Sequence, residues 1–281
     1  MLNLKIKVMK RTNVIFAASL LVVASFFAAC EKSETTDPMV EASQDDDLVT
    51  ALYDDALNEV DDMTVGSTTK SSALFATLPG SGSRIAVTTT SGDTIIKTIT
   101  FTNFINGNSE SGNIKNGVIV VKILGGPLQN QFERTLTFQN FTINGNKIEG
   151  KKQVTKTSEY QYSVMLTAGK VTFTDGTTYT RECTRTRTWA EGYNTPANIW
   201  DDTYTVEGSA TGTNRLGYTY THTITNALVI RNTCRWIVEG TIEMVANNST
   251  ATIDYGMGEC DNLATITVNG ATTEIALKAK R

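Results

Sequence analysis

From Arg84 onward, apolar and polar side chains alternate. Thr, Val, Ile, Tyr and Phe fill the runs, and turn pairs separate them. A period of two describes strands with one covered and one open face, and the runs predict about 13 of them. Asn106-Gly107, Asn116-Gly117, Asn144-Gly145, Asp175-Gly176 and Asn269-Gly270 supply residues that tolerate positive φ, the requirement of type I′ hairpin turns. Asn116-Gly117 fits a bulge before Val118 equally well. Long alternating strands joined by tight turns are antiparallel.

Upstream the period changes. Leu48, Leu52, Ala56, Val60 and Met63 recur at helical spacing, which predicts an acidic amphipathic helix over 45–63. Ser43 is its expected N-cap, and Asp45, Asp46 and Asp47 fall in the first turn, where the helix dipole favours anions. Its apolar stripe either packs on the sheet or receives a partner. Residues 31–44 are polar and aperiodic and read as a flexible tether. Residues 66–82, rich in Ser, Thr and Gly, read as loop.

Thr98–Phe104 (TITFTNF, then INGN) returns 37 residues later as Thr135–Phe141 (TLTFQNF, then TINGN). In both copies two phenylalanines stand three apart, Phe101 and Phe104, then Phe138 and Phe141. A regular strand would point them to opposite faces, so either a bulge resets the face or both faces are covered.

Arg181-Glu-Cys-Thr-Arg-Thr-Arg-Thr-Trp189 places Arg181, Cys183, Arg185, Arg187 and Trp189 on one face of a strand. The arginines either bind an anionic or sugar ligand or pair with acids on neighbouring strands, such as Asp202, Glu207 or Glu239. The next loop holds Trp189, Tyr193, Asn194, Trp200, Asp201 and Asp202, a set suited to ring stacking and hydrogen bonding of a carbohydrate. Its alternative reading is a cap on the sheet end.

Catalytic signals are sparse. His222 is the sole histidine, and no GxSxG, HExxH, GxGxxG or P-loop occurs. Carboxylate pairs at Asp201-Asp202 or among Asp254, Glu259 and Asp261 leave a glycan-active enzyme as the only catalytic reading. The oxygens of 254–262 lack EF-hand spacing, so neither metal nor cofactor is expected.

Charge and cysteine usage locate the protein. Lys5, Lys7, Lys10 and Arg11 precede an apolar run over 14–29, and Ala28-Ala29 precede Cys30. This is a secretory signal with a bacterial lipobox: cleavage before Cys30 and acylation of its thiol are expected. Residues 31–62 hold 12 acids and one base, so the β body, 63–281, is about +3 against a whole-chain charge of −4. No clustered basic face marks nucleic acid as a partner. In an oxidising compartment a disulfide is allowed. A two-residue turn at Asn247-Asn248, with one bulged residue near Gly256 or Gly258, sets Cys234 against Cys260 and leaves Cys183 free.

The stretches RTRTWAEGYNTPANIWDDTYTVEGSATGTN, CRWIVEG and TIDYGMGECDNLATITVNG resemble a family of Bacteroidota cell-envelope lipoproteins over residues 85–280. The resemblance implies an envelope lipoprotein and carries no activity with it. The expected organisation is a signal peptide (1–29), a lipidated tether (30–44), an acidic helix and loop (45–83) and an all-β antiparallel meander (84–281), either an extended twisted sheet or an open sandwich. The expected role is non-enzymatic, in the outer membrane or at the surface, bound to the membrane through lipid and to a glycan or an envelope protein. A carrier of lipid or another apolar ligand is the alternative.

Overall fold

The computed structural model describes residues 37–65, 82–105, 112–126, 129–195 and 198–277, with side chains except at 61–65 and 199. The helix α1 runs Pro38–Val65. Thirteen strands follow: β1 (Ser83–Ser91), β2 (Thr94–Phe104), β3 (Lys115–Leu124), β4 (Glu133–Ile143), β5 (Asn146–Lys156), β6 (Gln161–Thr172), β7 (Thr178–Glu191), β8 (Thr203–Thr213), β9 (Thr219–Arg231), β10 (Ile237–Ala246), β11 (Ser249–Met257), β12 (Leu263–Val268) and β13 (Ala271–Ala276). All pair antiparallel with their chain neighbours in one sheet, so the meander expectation holds and the sandwich alternative falls.

The helix starts seven residues before the expected Asp45. Asp37 is the cap: its Oδ1 accepts from Met39 N at 2.8 Å, and Pro38 takes the first helical position, where its missing N–H costs nothing. Ser43 is therefore inside the helix, and its Oγ donates to Met39 O at 2.8 Å. Of the tether expected over 30–44, residues 38–44 are helix, and 30–36 lie outside the described residues.

The apolar stripe packs on the sheet as expected: Leu52, Ala56 and Val60 are buried, and Leu48 is partly so. The acids of α1 are buried as well, at Asp45, Asp46, Asp55 and Glu59. Sheet curvature explains both. Ser43 to Glu59 is about 24 Å of helix at 1.5 Å per residue. Glu59 pairs with Arg84 on β1, while Ser43 touches Met244 on β10. Nine strand spacings in a flat sheet would separate those partners by about 43 Å. The sheet curls around α1 to bring them within side-chain reach.

Bulges supply the bend. Asn103 and Asn140 sit at φ +46° and +48° within register shifts of β2 and β4. Each bulge returns its second phenylalanine to the inner face. Phe101, Phe104 and Phe141 are buried, and Phe101, Phe138 and Phe141 meet ring to ring. Of the two readings of the repeat, the bulge is correct. Gly117 answers the Asn140 bulge from β3: a Cβ there would lie 2.2 Å from Asn140 O.

Asn144-Gly145 and Asn269-Gly270 are left-handed at both residues, as is Asn247-Asn248. Asp175-Gly176 is not a type I′ turn, because only Gly176 has positive φ; Asp175 instead accepts from Thr177 N and Oγ1. Asn116-Gly117 lies within β3 at a register shift, and Asn106-Gly107 lies outside the described residues.

Cys234 and Cys260 are bridged, and Cys183 is free. The route differs from the expectation. A bulge falls at Tyr255–Gly256, but it shifts the register away from a direct Cys234–Cys260 ladder pair. The bridge is made beyond the ladder, between the β9–β10 and β11–β12 connections.

Candidate functional site

Two groups of polar side chains stand out, and they do different work. The first joins α1 to the inner face of the sheet. Asp46 pairs with Arg181, accepts from Tyr179 Oη at 2.7 Å and lies 2.7 Å from His222 Nδ1. Arg215 Nη1 reaches Asp45 at 3.0 Å, Lys152 reaches Asp54 at 3.2 Å, and Lys115 reaches both Asp55 and Glu59.

Burial works to raise the Asp46 carboxyl, but Arg181 and His222 beside it hold it well below the usual carboxylate range. Burial lowers His222 despite the neighbouring Asp46 carboxylate. A neutral imidazole therefore donates from Nδ1 to Asp46, which leaves Nε2 as an acceptor. That Nε2 is buried without a hydrogen-bond partner. The ladder expected for the arginine strand is corrected here: Arg181 pairs with the helix, not with Asp202, Glu207 or Glu239. The helical period assigns Asp45, Asp46 and Asp47 only to a first turn favoured by the helix dipole; nothing local in the sequence marks their partners on distant strands.

The second group is the β7–β8 connection. Trp189 is half-buried and donates from Nε1 to Asp202 Oδ1 at 3.0 Å. Tyr204 Oη donates to Asp202 Oδ2 at 2.9 Å, and the Asn232 amide donates to the same oxygen at 3.4 Å. Burial raises the Asp202 carboxyl, and these hydrogen bonds oppose the rise. Trp189 stacks on Tyr204 at 6.0 Å, and the Arg187 guanidinium covers the Tyr204 ring at 3.5 Å. Trp189 and Asp202 thus fasten the base of the loop.

Other described residues of the loop are exposed. Tyr193 is exposed and its ring lies 4.5 Å from that of Tyr160. Asn194 is exposed. Trp200 is 59% exposed and sits on a single 3-10 turn, Ile199–Asp201, capped by Asn198, whose Oδ1 accepts from Trp200 N. Asp201 Oδ2 accepts from Thr195 Oγ1 at 2.7 Å. The six expected residues therefore divide. Trp189 and Asp202 hold the loop, Tyr193, Asn194 and Trp200 are presented, and Asp201 braces the turn. Asp201 and Asp202 do not face one cleft as a carboxylate pair, because Asp202 is buried against Trp189 and Tyr204.

Among the described residues, no group of three or more His, Cys, Asp or Glu could hold a metal ion, and no helix is long and apolar enough to cross a membrane. Cys30 lies outside the described residues. Comparison with known families, curated proteins and solved structures finds no match.

Proposed function

We propose that this chain is a lipid-anchored protein of the cell envelope that binds carbohydrate, without catalysis, through the β7–β8 loop. The exposed Trp200 carries the reading. It is 59% exposed, and aromatic rings suit the C–H-rich faces of sugars. Its setting supports the same use. The loop base is fixed by the Asp202 hydrogen bonds, so the platform is preorganised and loses little freedom on binding. Tyr193 and Tyr160 offer a second ring surface.

The carrier alternative requires a broad open apolar concave face, whereas α1 covers the main apolar core of that face, and the smaller cluster of Phe132, Val154 and Tyr162 beyond it is bordered by Arg185 and Arg187. The anchor rests on the Ala28-Ala29-Cys30 lipobox. A glycan array probed with the mature protein should give signals that Trp200→Ala abolishes while the fold is kept. An array blank for the unaltered protein overturns the carbohydrate reading. Metabolic labelling with palmitate should mark the chain and fail with Cys30→Ala; an unlabelled unaltered chain overturns the anchor.

A further inference from the structure

We infer that the carbohydrate ligand is acidic, a chain of uronate, sulfated or phosphorylated sugars, and that Arg185 and Arg187 on the uncovered part of the concave face select it. The inference rests on the carbohydrate reading above and names its substrate class.

Strand register locates the face. Arg134, Val154, Val164 and Arg185 stand side by side across β4 to β7. The adjacent row, nearer the β7–β8 loop, runs Lys156, Tyr162, Arg187 and Val206 across β5 to β8. A second apolar cluster of Phe132, Val154 and Tyr162, separate from the core under α1, floors this region. Both rows therefore combine cations with apolar and aromatic side chains.

Charge is sorted by face. In the register of β4 to β8, Glu133, Glu149, Glu182 and Glu207 alternate out of these rows and stand on the opposite side of the sheet. Of the acids of α1, Asp46 is engaged with Arg181, Asp54 with Lys152 and Glu59 with Lys115, while Asp47 and Arg185 both act on the buried Tyr255. Arg185 and Arg187 are half-buried, and among the described residues neither makes an ion pair; the Nε of each is itself buried, so the Nη groups are what a ligand would meet. A partly desolvated guanidinium without a counter-ion is suited to a planar carboxylate or to sulfate.

The face is continuous with the loop. Arg187 lies on Tyr204, which stacks on Trp189 and shares Asp202 with it. Lys156 borders a depression of about 450 Å³ with Asn130 and Ser158, and Glu159 is the acid on its rim. A sugar chain stacked on Trp200 would thus have a cationic surface within the same end of the sheet.

The test is affinity electrophoresis and titration calorimetry with polygalacturonate, its carboxyl-reduced neutral form, heparin and a DNA duplex. The mature protein should bind an acidic chain at least about tenfold more tightly than the neutral one, the scale of one charged hydrogen bond. That preference should shrink as NaCl rises from about 0.05 to 0.5 M, because salt screens exposed charge. Arg185→Gln should shrink the preference and keep neutral binding, and Arg185→Gln/Arg187→Gln should lose the preference. Arg187→Lys, which keeps charge and loses the fork, guards against misfolding of the double variant and should retain only part of the preference. Equal binding of both polygalacturonate forms, or an unaffected double variant, overturns the acidic inference and leaves the carbohydrate reading standing. DNA binding as tight as that of the acidic glycans also overturns it. Failure of every glycan overturns both.

Discussion

Asp46→Asn removes one charge from the centre of the protein and keeps the shape of the side chain. Asp46 and Arg181 are both nearly inaccessible, with side chains 4% and 3% exposed. The substitution leaves a buried guanidinium without its counter-ion and weakens the acceptor used by Tyr179 and His222. Breaking one partner of a buried pair costs about 3–5 kcal/mol. That is a large share of the roughly 5–15 kcal/mol typical of a folded domain. Urea unfolding followed by tryptophan fluorescence reads it directly, through a lower midpoint at unchanged slope. Arg181→Met in the Asp46→Asn background removes the stranded charge and should restore part of the loss, because replacing both partners of a buried pair costs far less than removing one. A loss below about 1 kcal/mol for Asp46→Asn would place the pair among weak surface bridges. Strictly additive losses in the double variant would show that the two groups do not interact. Either result refutes the account of the buried network.

His222 gives a pH signature that belongs to one residue, since it is the sole histidine. Its folded pKa is lowered by burial, with Arg181 and Arg185 adding to the effect and Asp46 opposing it. Stability should therefore fall as pH drops below about 6.5, where the unfolded chain takes up a proton that the folded chain refuses, with a limiting slope of about 1.4 kcal/mol per pH unit. His222→Gln should flatten that limb between pH 7 and the carboxylate range, measured by urea midpoints across pH. Asp46, held low, protects the fold above its unfolded value near 4 and adds a second loss only at more acidic pH. Reducing Cys234–Cys260, which closes a 26-residue separation, should cost up to about 3.5 kcal/mol by loop entropy, read as a drop in Tm. Asn140→Val should cost about 1–2 kcal/mol because Asn140 is exposed yet left-handed, while Asn140→Gly should be near neutral; equal effects would deny that backbone conformation matters there.

The sheet was legible because alternation and turn pairs are local. Asn144-Gly145 reports its own turn, and the paired phenylalanines reported a bulge that the Asn103 and Asn140 conformations explain. The helix start was legible in principle: Asp37-Pro38 is a cap followed by a first-position proline, but the polar surroundings masked it. The fate of the helix acids was not legible. An acid that meets water and one that meets Arg181 look alike in sequence, since its partner lies 135 residues away. For the same reason Asp202 resembled a ligand group, until Trp189, Tyr204 and Asn232 were found around it.

The position of α1 at the start of the described chain orders how the molecule can be completed. Each hairpin can zip onto its predecessor as the chain lengthens, because every strand pairs with its sequence neighbour. The helix has such a neighbour at one end only. Its contacts reach Arg84 on β1 at one end and Met244 on β10, 201 residues from Ser43, at the other. Contacts of that separation form late. A chain that stops at β8 has Arg181 for Asp46 but no His222, and nothing for Ser43 to rest on. The C-terminal half of the helix can thus dock on β1, β3 and β5 early, whereas the burial of its N-terminal half at Ser43 and Asp46 is completed only when β9 and β10 arrive.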